Sequence, residues 1–591
     1  MAIYRSDQSQ LTFGAEAAQG GDIELNSGTL VGGGSDVDTT LSSAANAGDI
    51  TIAVADTEDV SVGDFIRIGG PDGAAATIGT DVTEEFEIRR IVHTTATDGA
   101  GTYTLDRPLG FYHASGDTVE EVTAVTNTTA NEFYSYITNV PGVYESVTAP
   151  DMAPTIEPRY YLGTAAKRQA AEFYSGQQTY AGSLGGMVLL DASPLRFPLG
   201  KMITNPSLYL HGSEYSSDLQ AEAKKGDVWI NTKNATNLDV GGYLHITDES
   251  GTPPSSTTVQ SGTNPEVVKV QSTTGSGTGT FIQLSQPLRF DHAVDVNVQE
   301  VAASPYYTHT ITPEISLDTI SWHLHMRDSG ETAANDFDRR YYGGMVDSAS
   351  ITAEEGGLLT FGWDTVNFMG MLHNQEDQAD AGTNIFNSAN AAAGMPKFAV
   401  MNTISGTSDI NFPSNNPYYF SQGVVKLFGS EVARVRSFNI GISNATEPRY
   451  YISGRYGRNR GPSEIREGRK SYTMSCTLAL PDTVAATSDA YTGATGATEI
   501  FKELLLEGNY GDAAGAKGFA VQVVFTRGTN DSITIDIPGD GTANTGLNGQ
   551  GAFITSAPHN VTGDGSALQV DVDMIFRDLK ITVVDGIGVY P

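Results

Sequence analysis

Hydrophobic and polar residues alternate along most of this chain. Short runs rich in Val, Ile, Thr, Tyr and Phe are separated by clusters of Gly, Asp and Asn, the pattern of strands joined by turns. In Ile320-Ser321-Trp322-His323-Leu324-His325-Met326, the residues Ile320, Trp322, Leu324 and Met326 fall on one face and are expected to face a core. Ser321, His323 and His325 are expected to face away. Residues 348–352, the turn Ala353-Glu354-Glu355-Gly356-Gly357 and residues 358–366 predict a long hairpin. Tyr472, Met474, Cys476 and Leu478 share one face of a strand, so Cys476 reads as a core residue. Further strands are expected at 519–525, 532–537 and 568–575. The helix pattern is Thr498-Glu499-Ile500-Phe501-Lys502-Glu503-Leu504-Leu505-Leu506-Glu507, stopped by Gly508-Asn509.

The pattern also repeats. Gly48-Asp49-Ile50 matches Gly226-Asp227-Val228, and residues 62–68 match 240–246. Glu87-Ile88-Arg89-Arg90-Ile91 matches Glu266-Val267-Val268-Lys269-Val270. Leu105, Pro108, Leu109 and His113 match Leu284, Pro287, Leu288 and His292, and residues 119–122 match 298–301. Spacing is kept apart from one inserted residue. Two copies are too few for a solenoid. They are expected to be similar all-β domains set into or onto a larger one. His113 and His292 are a candidate duplicated site, although duplication copies scaffold residues equally well. The expected division is an N-terminal arm at 1–36, modules at 37–123 and 217–302, and a larger domain in two parts at 124–216 and 303–591.

Charge changes the picture more than composition does. The formal net charge is −36, spread along the chain, yet 26 Tyr and 23 Phe argue against disorder. Such a surface repels itself in dilute buffer, and the repulsion fades as salt shortens the Debye length to roughly 3 Å at 1 M. Adaptation to high salt is the economical explanation, with an ordinary acidic surface as the alternative. The sign of the charge argues against tight nucleic-acid binding, which needs Lys and Arg at phosphates. Cys476 is the single cysteine, so no intrachain disulfide can form. No signal-peptide pattern opens the chain and no apolar run of about 18 residues exists. Synthesis is therefore expected in the cytoplasm, with no membrane partner.

Residues 340–360, Arg340-Tyr341-Tyr342-Gly343-Gly344-Met345-Val346-Asp347-Ser348-Ala349-Ser350-Ile351-Thr352-Ala353-Glu354-Glu355-Gly356-Gly357-Leu358-Leu359-Thr360, resemble the strand-loop-strand of tail tube proteins of tailed viruses. Ile465-Arg466-Glu467-Gly468-Arg469-Lys470-Ser471-Tyr472-Thr473-Met474-Ser475-Cys476-Thr477-Leu478 resembles the family's strand leading to its helix, supplied here by residues 500–506. Residues 423–429 and 435–440 fit the intervening strand pair. The resemblance covers 303–591 and, more weakly, 124–216, and leaves out the duplicated modules. It implies a major tail tube protein: a two-sheet core assembled as a hexameric ring, with rings stacked into a hollow tube that conducts DNA. The implied partners are further copies, other tail proteins, and DNA passing through the lumen without specific binding. The implied location is the virion tail. Ile351, Glu354, Glu355, Gly356, Gly357 and Leu359 would form the assembly hairpin, the N-terminal arm would bridge rings, and the modules would project outward. The expected fold class is mainly β: a tail-tube-like β-sandwich or barrel core with one short helix and a long hairpin, plus two duplicated small all-β modules.

Catalytic patterns are missing. His323 and His325 could hold zinc only with further ligands that the neighbourhood lacks. Neither Asp536-Ile537-Pro538-Gly539-Asp540-Gly541 nor Asp571-Val572-Asp573 has the spacing of a calcium loop. No nucleophile elbow, P-loop or dinucleotide fingerprint occurs. No catalytic residue, cofactor or metal is expected. Two alternatives stand beside the tube. One is another virion component (baseplate, fibre or capsid-associated). The other is a carbohydrate-binding surface protein of a halophile, with Trp229 and Tyr243 as candidate ligand-stacking aromatics.

Overall fold

A computed structural model of the chain describes residues 4–590 apart from 22–23, 27–28, 32–37, 58–61, 63–64, 70–74, 78–85, 96–98, 106–107, 122–132, 136–141, 151–154, 161–171, 210–214, 235–236, 251–261, 275–279, 303–305, 329–336, 374–415, 428–429, 432–434, 452–460, 480–519, 539–550 and 561–568. The chain is mainly β, built from antiparallel sheets. Among the described residues the α-helix is a single turn, Arg196–Leu199, closed by Gly200 at φ 106°. The helix expected over 498–507 lies outside the described residues.

Alternation in the sequence becomes a two-sheet sandwich. The main sheet runs in the order Ser146–Thr148, Tyr180–Val188, Thr360–Phe368, Phe337–Glu354, Val435–Ser443, Ser471–Ala479, Gln569–Phe576 and Phe553–Ser556, with further strands off this path. Phe337–Glu354 is 18 residues long and serves twice. Its first half pairs with Ile320–Asp328 and Gly370–His373, its second with Thr360–Phe368 and Val435–Ser443. The change of partners falls beside Gly343, whose φ of 64° and close approach to Met369 leave no room for a side chain. The second sheet has seven strands, in the order Gly200–Pro206, Tyr307–Pro313, Lys580–Asp585, Asp531–Ile537, Val521–Gly528, Gly423–Leu427 and Ser430–Glu431. Inward residues of the main sheet (Ile351, Trp363, Ile440, Met474, Val572) and of the second (Met202, Ile311, Val523, Ile535, Val583) share one continuous core. Phe438 and Phe525 meet across it with ring centroids 5.9 Å apart. Each such side chain contributes about 1.5–3 kcal/mol by burial.

Two expectations change. Residues 4–15, expected as part of an extended arm, are the strand Tyr4–Ala15, paired in register Leu11↔Leu324 and Phe13↔Trp322. The cause is two apolar residues at period two: Leu11 and Phe13 are fully buried, and Phe13 packs edge-on against Phe197 and Trp363. This pairing also covers Ile320–Asp328. Ser321 and His323, expected to face away, are buried like Trp322. Ser321 is held by the buried carboxylate of Glu16, which also accepts N–H groups from Gly20 at 2.9 Å and Gly343 at 2.8 Å. Three donors compensate that charge for its loss of water.

The repeated segments each form a six-stranded sheet. The first runs Asp38–Thr40, Thr118–Glu121, Phe65–Gly69, Phe86–Thr94, Gly101–Leu105, Thr51–Val54. The second runs Ser216–Asp218, Val296–Glu300, Tyr243–Ser250, Glu266–Thr274, Thr280–Leu284, Trp229–Thr232, the same order of equivalent strands. Each has its own core. They meet where Phe111 packs with Val228, Trp229 and Ala17. The equivalent glycines Gly48 and Gly226 are faced by consecutive residues of one segment, Ala18 and Ala17. The second module is inserted between two paired strands of the sandwich, Gly200–Pro206 and Tyr307–Pro313.

Candidate functional surfaces

The duplicated histidines sit in matching buried clusters. In the first module the Glu87 carboxylate accepts the Gly110 N–H at 2.9 Å and the Phe111 N–H at 3.2 Å, and lies 2.9 Å from His113 Nε2. In the second, Glu266 accepts the N–H groups of Arg289 and Phe290 and lies 2.9 Å from His292 Nε2. Each carboxylate thus fastens the loop that follows the Pro-Leu pair to a neighbouring strand. A second acid faces the other ring nitrogen, from a different place in each copy. Asp117 lies 3.7 Å from His113 Nδ1 and Asp248 lies 3.4 Å from His292 Nδ1, both ion-pair distances. Burial alone would hold these imidazoliums down, but the flanking Asp117 and Glu87, and Asp248 and Glu266, lift each ring to about 9. Burial likewise pushes the Glu87 carboxyl up, and Arg89, His113 and the Gly110 N–H more than offset it, leaving the group below the ordinary carboxylate value. An enclosed Glu–His pair holds a loop, and each ring nitrogen faces a carboxylate of the same module and not an open surface. Glu87 and Glu266 were already aligned by the repeat, and their pairing with the histidines is what the sequence alone did not expose.

The second module is tied to the sandwich through this loop and through the turn at Lys225, whose N–H donates to Asp291 of the loop. Arg289 Nη1 donates to Thr204 Oγ1 at 3.3 Å, Lys225 Nζ pairs with Asp318 at 2.7 Å, and Arg196 Nε meets the same carboxylate at 2.5 Å. Burial raises the Asp318 carboxyl, and the two cations overcome it and bring it to about 2.

The face of the main sheet opposite the core is lined with small hydroxyls and acids. The register sets Thr360, Thr352, Asn439, Ser475 and Asp573 in one row, and Gly362, Ser350, Gly441, Thr473 and Ile575 in the next. Another row runs Glu354, Ser437, Thr477, Asp571. None of these row positions carries Lys or Arg. Hydroxyls are partly satisfied within the face: Thr352 and Thr360 are 2.6 Å apart, Ser350 donates to Asp364 at 3.0 Å, and Thr477 donates to Asp571 at 2.8 Å. The surface is broad, short in side-chain length and anionic.

The residues expected to form an assembly hairpin divide. Ile351 and Leu359 belong to the core. Glu354, Glu355 and Gly356 are exposed and Gly357 is partly so. Even this turn is tied within the chain. Glu355 N–H donates to the Arg436 carbonyl at 2.8 Å, the Arg436 guanidinium returns to Glu355 at 2.8 Å, and Leu359 N–H donates to the Tyr418 carbonyl at 2.9 Å. A different hairpin is exposed among the described residues. Ser146–Thr148 pairs with Tyr180–Val188 at one edge of the main sheet, and beyond that base Ile156–Arg159 pairs with Glu172–Ser175. Every residue of these two distal strands is exposed.

Other candidates are absorbed by the fold. Among the described residues, no three His, Cys, Asp or Glu side chains are grouped as metal ligands. Cys476 is buried, and burial, with Asp573 and Asp571 adding to it, pushes its thiol up to about 12. Trp229 is buried between the modules, and Tyr243 lies against Tyr307 and under the Lys269 ammonium. Neither presents an open stacking platform for a sugar. No helix among the described residues is long and apolar enough to cross a membrane. A scan against protein-family models finds no match for the chain, and a search of curated proteins finds none either.

Proposed function

We propose that the chain is a structural virion protein that assembles into stacked rings, in keeping with a viral tail tube through which DNA passes. The observation that carries this reading is the main sheet. One face is committed to the core, the other is a wide anionic hydroxyl surface, and among the described residues the strand order ends in two different edge strands, Ser146–Thr148 and Phe553–Ser556. Open edges are a liability that closure into a ring removes. A contact between two different edges is heterologous, so it either closes a ring or propagates a filament. A lumen lined by rows such as Thr352, Asn439, Ser475 and Asp573 would offer phosphate no cation to hold, so DNA would slide and not stick.

The test is direct imaging. Purified protein in molar salt, examined by electron microscopy across a concentration series, is expected to show rings or tubes. A species that stays monomeric at every concentration and salt level would overturn the reading.

A further inference from the structure

We infer that the segment Gly586–Tyr590 is a latch that locks the second module onto the sandwich, and that the module swings on its two connecting strands when the latch is out. The joint lies within one chain, so the inference stands apart from the assembly reading. The module leaves and rejoins the sandwich where Pro206 and Tyr307 lie opposite one another, so its covalent tether is a pair of adjacent strands. Such a tether fixes a position and leaves the angle to be set by contacts. One short piece of chain reaches both bodies. It follows the strand Lys580–Asp585 of the second sheet. Half-buried Val589 packs with Val267, Val301 and Tyr243 of the module and with Tyr307 of the sandwich.

Enclosed groups of the sandwich hold the segment in place. Tyr590 is buried; its O–H donates to Asp585 Oδ2 at 2.9 Å, and its ring lies on His309 with centroids 4.2 Å apart. The Ile587 N–H donates to Asp585 Oδ1 at 2.8 Å. His309 Nε2 donates to the Ile587 carbonyl at 2.9 Å, and its Nδ1 faces the Thr204 hydroxyl at 2.9 Å. Thr204 also accepts from Arg289 of the module. One hydrogen-bonded line therefore runs from the module's loop through the sandwich to the latch, and a buried network of this kind defines a single seated position. The two glycines of the segment differ. A Cβ on Gly588 would lie 2.7 Å from a ring carbon of Tyr307, whereas one on Gly586 would meet nothing within 4 Å. At Gly588 the segment has to be thin to seat, and a methyl group there displaces it without deleting any contact group.

Spin labels at Val240→Cys on the module and Ile315→Cys on the sandwich read the joint in the full chain, diluted with unlabelled copies. Both native side chains are exposed, 63% and 90%, and Cys476 is buried. The unsubstituted joint is expected to give one narrow distance distribution. Val589→Ser, which removes the apolar contact with the module, and Gly588→Ala, which displaces the segment, should each broaden it. Gly586→Ala should leave it narrow. The Thr204 amide donates to the Pro265 carbonyl across the joint at 3.2 Å and should exchange about tenfold faster in Val589→Ser and Gly588→Ala. The Val270 amide, bonded inside the module to the Gly242 carbonyl, should keep its rate. A distribution that stays narrow in both variants would overturn the latch, as would a broad one in the unsubstituted chain. Faster exchange at Val270 together with Thr204 would also overturn it, because the segment would then be part of the module's own core and not a joint.

Discussion

At the scale of single residues, the strongest commitments are buried charges with complete sets of partners. His292 lies between Glu266 and Asp248, so replacing it with Ala removes the cation held between the two acids. A loss of about 3–5 kcal/mol is expected for breaking such a buried set. The pH dependence has a fixed sign. The folded value of about 9 lies above the ordinary 6.5, so the stabilisation from His113 and His292 is complete below about pH 6.5 and disappears as pH rises through 9. The Glu87 carboxyl is shifted the other way, so its contribution holds above the ordinary value of 4.5 and is lost as pH falls through its lower folded value. Hydrogen exchange at the amides of Arg289 and Phe290, followed from pH 6 to 10, should show faster local opening in the alkaline window after correction for intrinsic rates. His292→Ala should flatten that dependence. Protection that stays constant across the window would show that the imidazolium does not hold the loop.

At the scale of elements, alternation made most of the sandwich legible. Ile351, Phe361, Met474 and Val572 can be placed facing inward from period two alone, and the turn at Glu354-Glu355-Gly356-Gly357 falls where the Gly and acid cluster put it. Tyr4–Ala15 was hidden because only Leu11 and Phe13 stand out from its polar composition, and composition describes an average while two well-placed rings decide the packing. The same masking affected Ile320–Asp328: its second face is polar by sequence yet buried, because Glu16 satisfies Ser321 from a distant part of the chain. The exposed strand pair Ile156–Arg159 and Glu172–Ser175 was illegible for the opposite reason. Ile156, Phe173 and Tyr174 look like core residues, and exposure is a property of what fails to pack on them. Phe13→Ala should cost about 3–5 kcal/mol in a denaturant titration, since it empties the contact with Phe197 and Trp363. A change below about 1 kcal/mol would mean that the first strand is an accessory to the sandwich and not one of its walls.

At the scale of the whole molecule, the net charge of −36 sets the conditions under which everything else operates. Surface repulsion is weakened by salt, while the buried pairs at Glu87 and Asp318 are screened much less. Thermal stability is therefore expected to rise from 0.1 M to about 2 M KCl, a range over which the Debye length falls from about 10 Å to below 3 Å. A melting temperature indifferent to salt would leave the acidic surface without the role assigned to it. Assembly should follow the same trend, because copies of one sign must approach closely.

The place where the second module joins the sandwich has a practical corollary. Pro206 and Tyr307 are opposite one another in a ladder, so the chain leaves and returns at neighbouring points. A folded unit between such points is a cassette: its removal and replacement by a short turn would leave the ladder's hydrogen bonds intact, at the loss of the Arg289 and Lys225 ties. Lineages of this protein could trade the cassette for another fold with adjacent termini, and a designer could use the same socket to display foreign cargo on every copy.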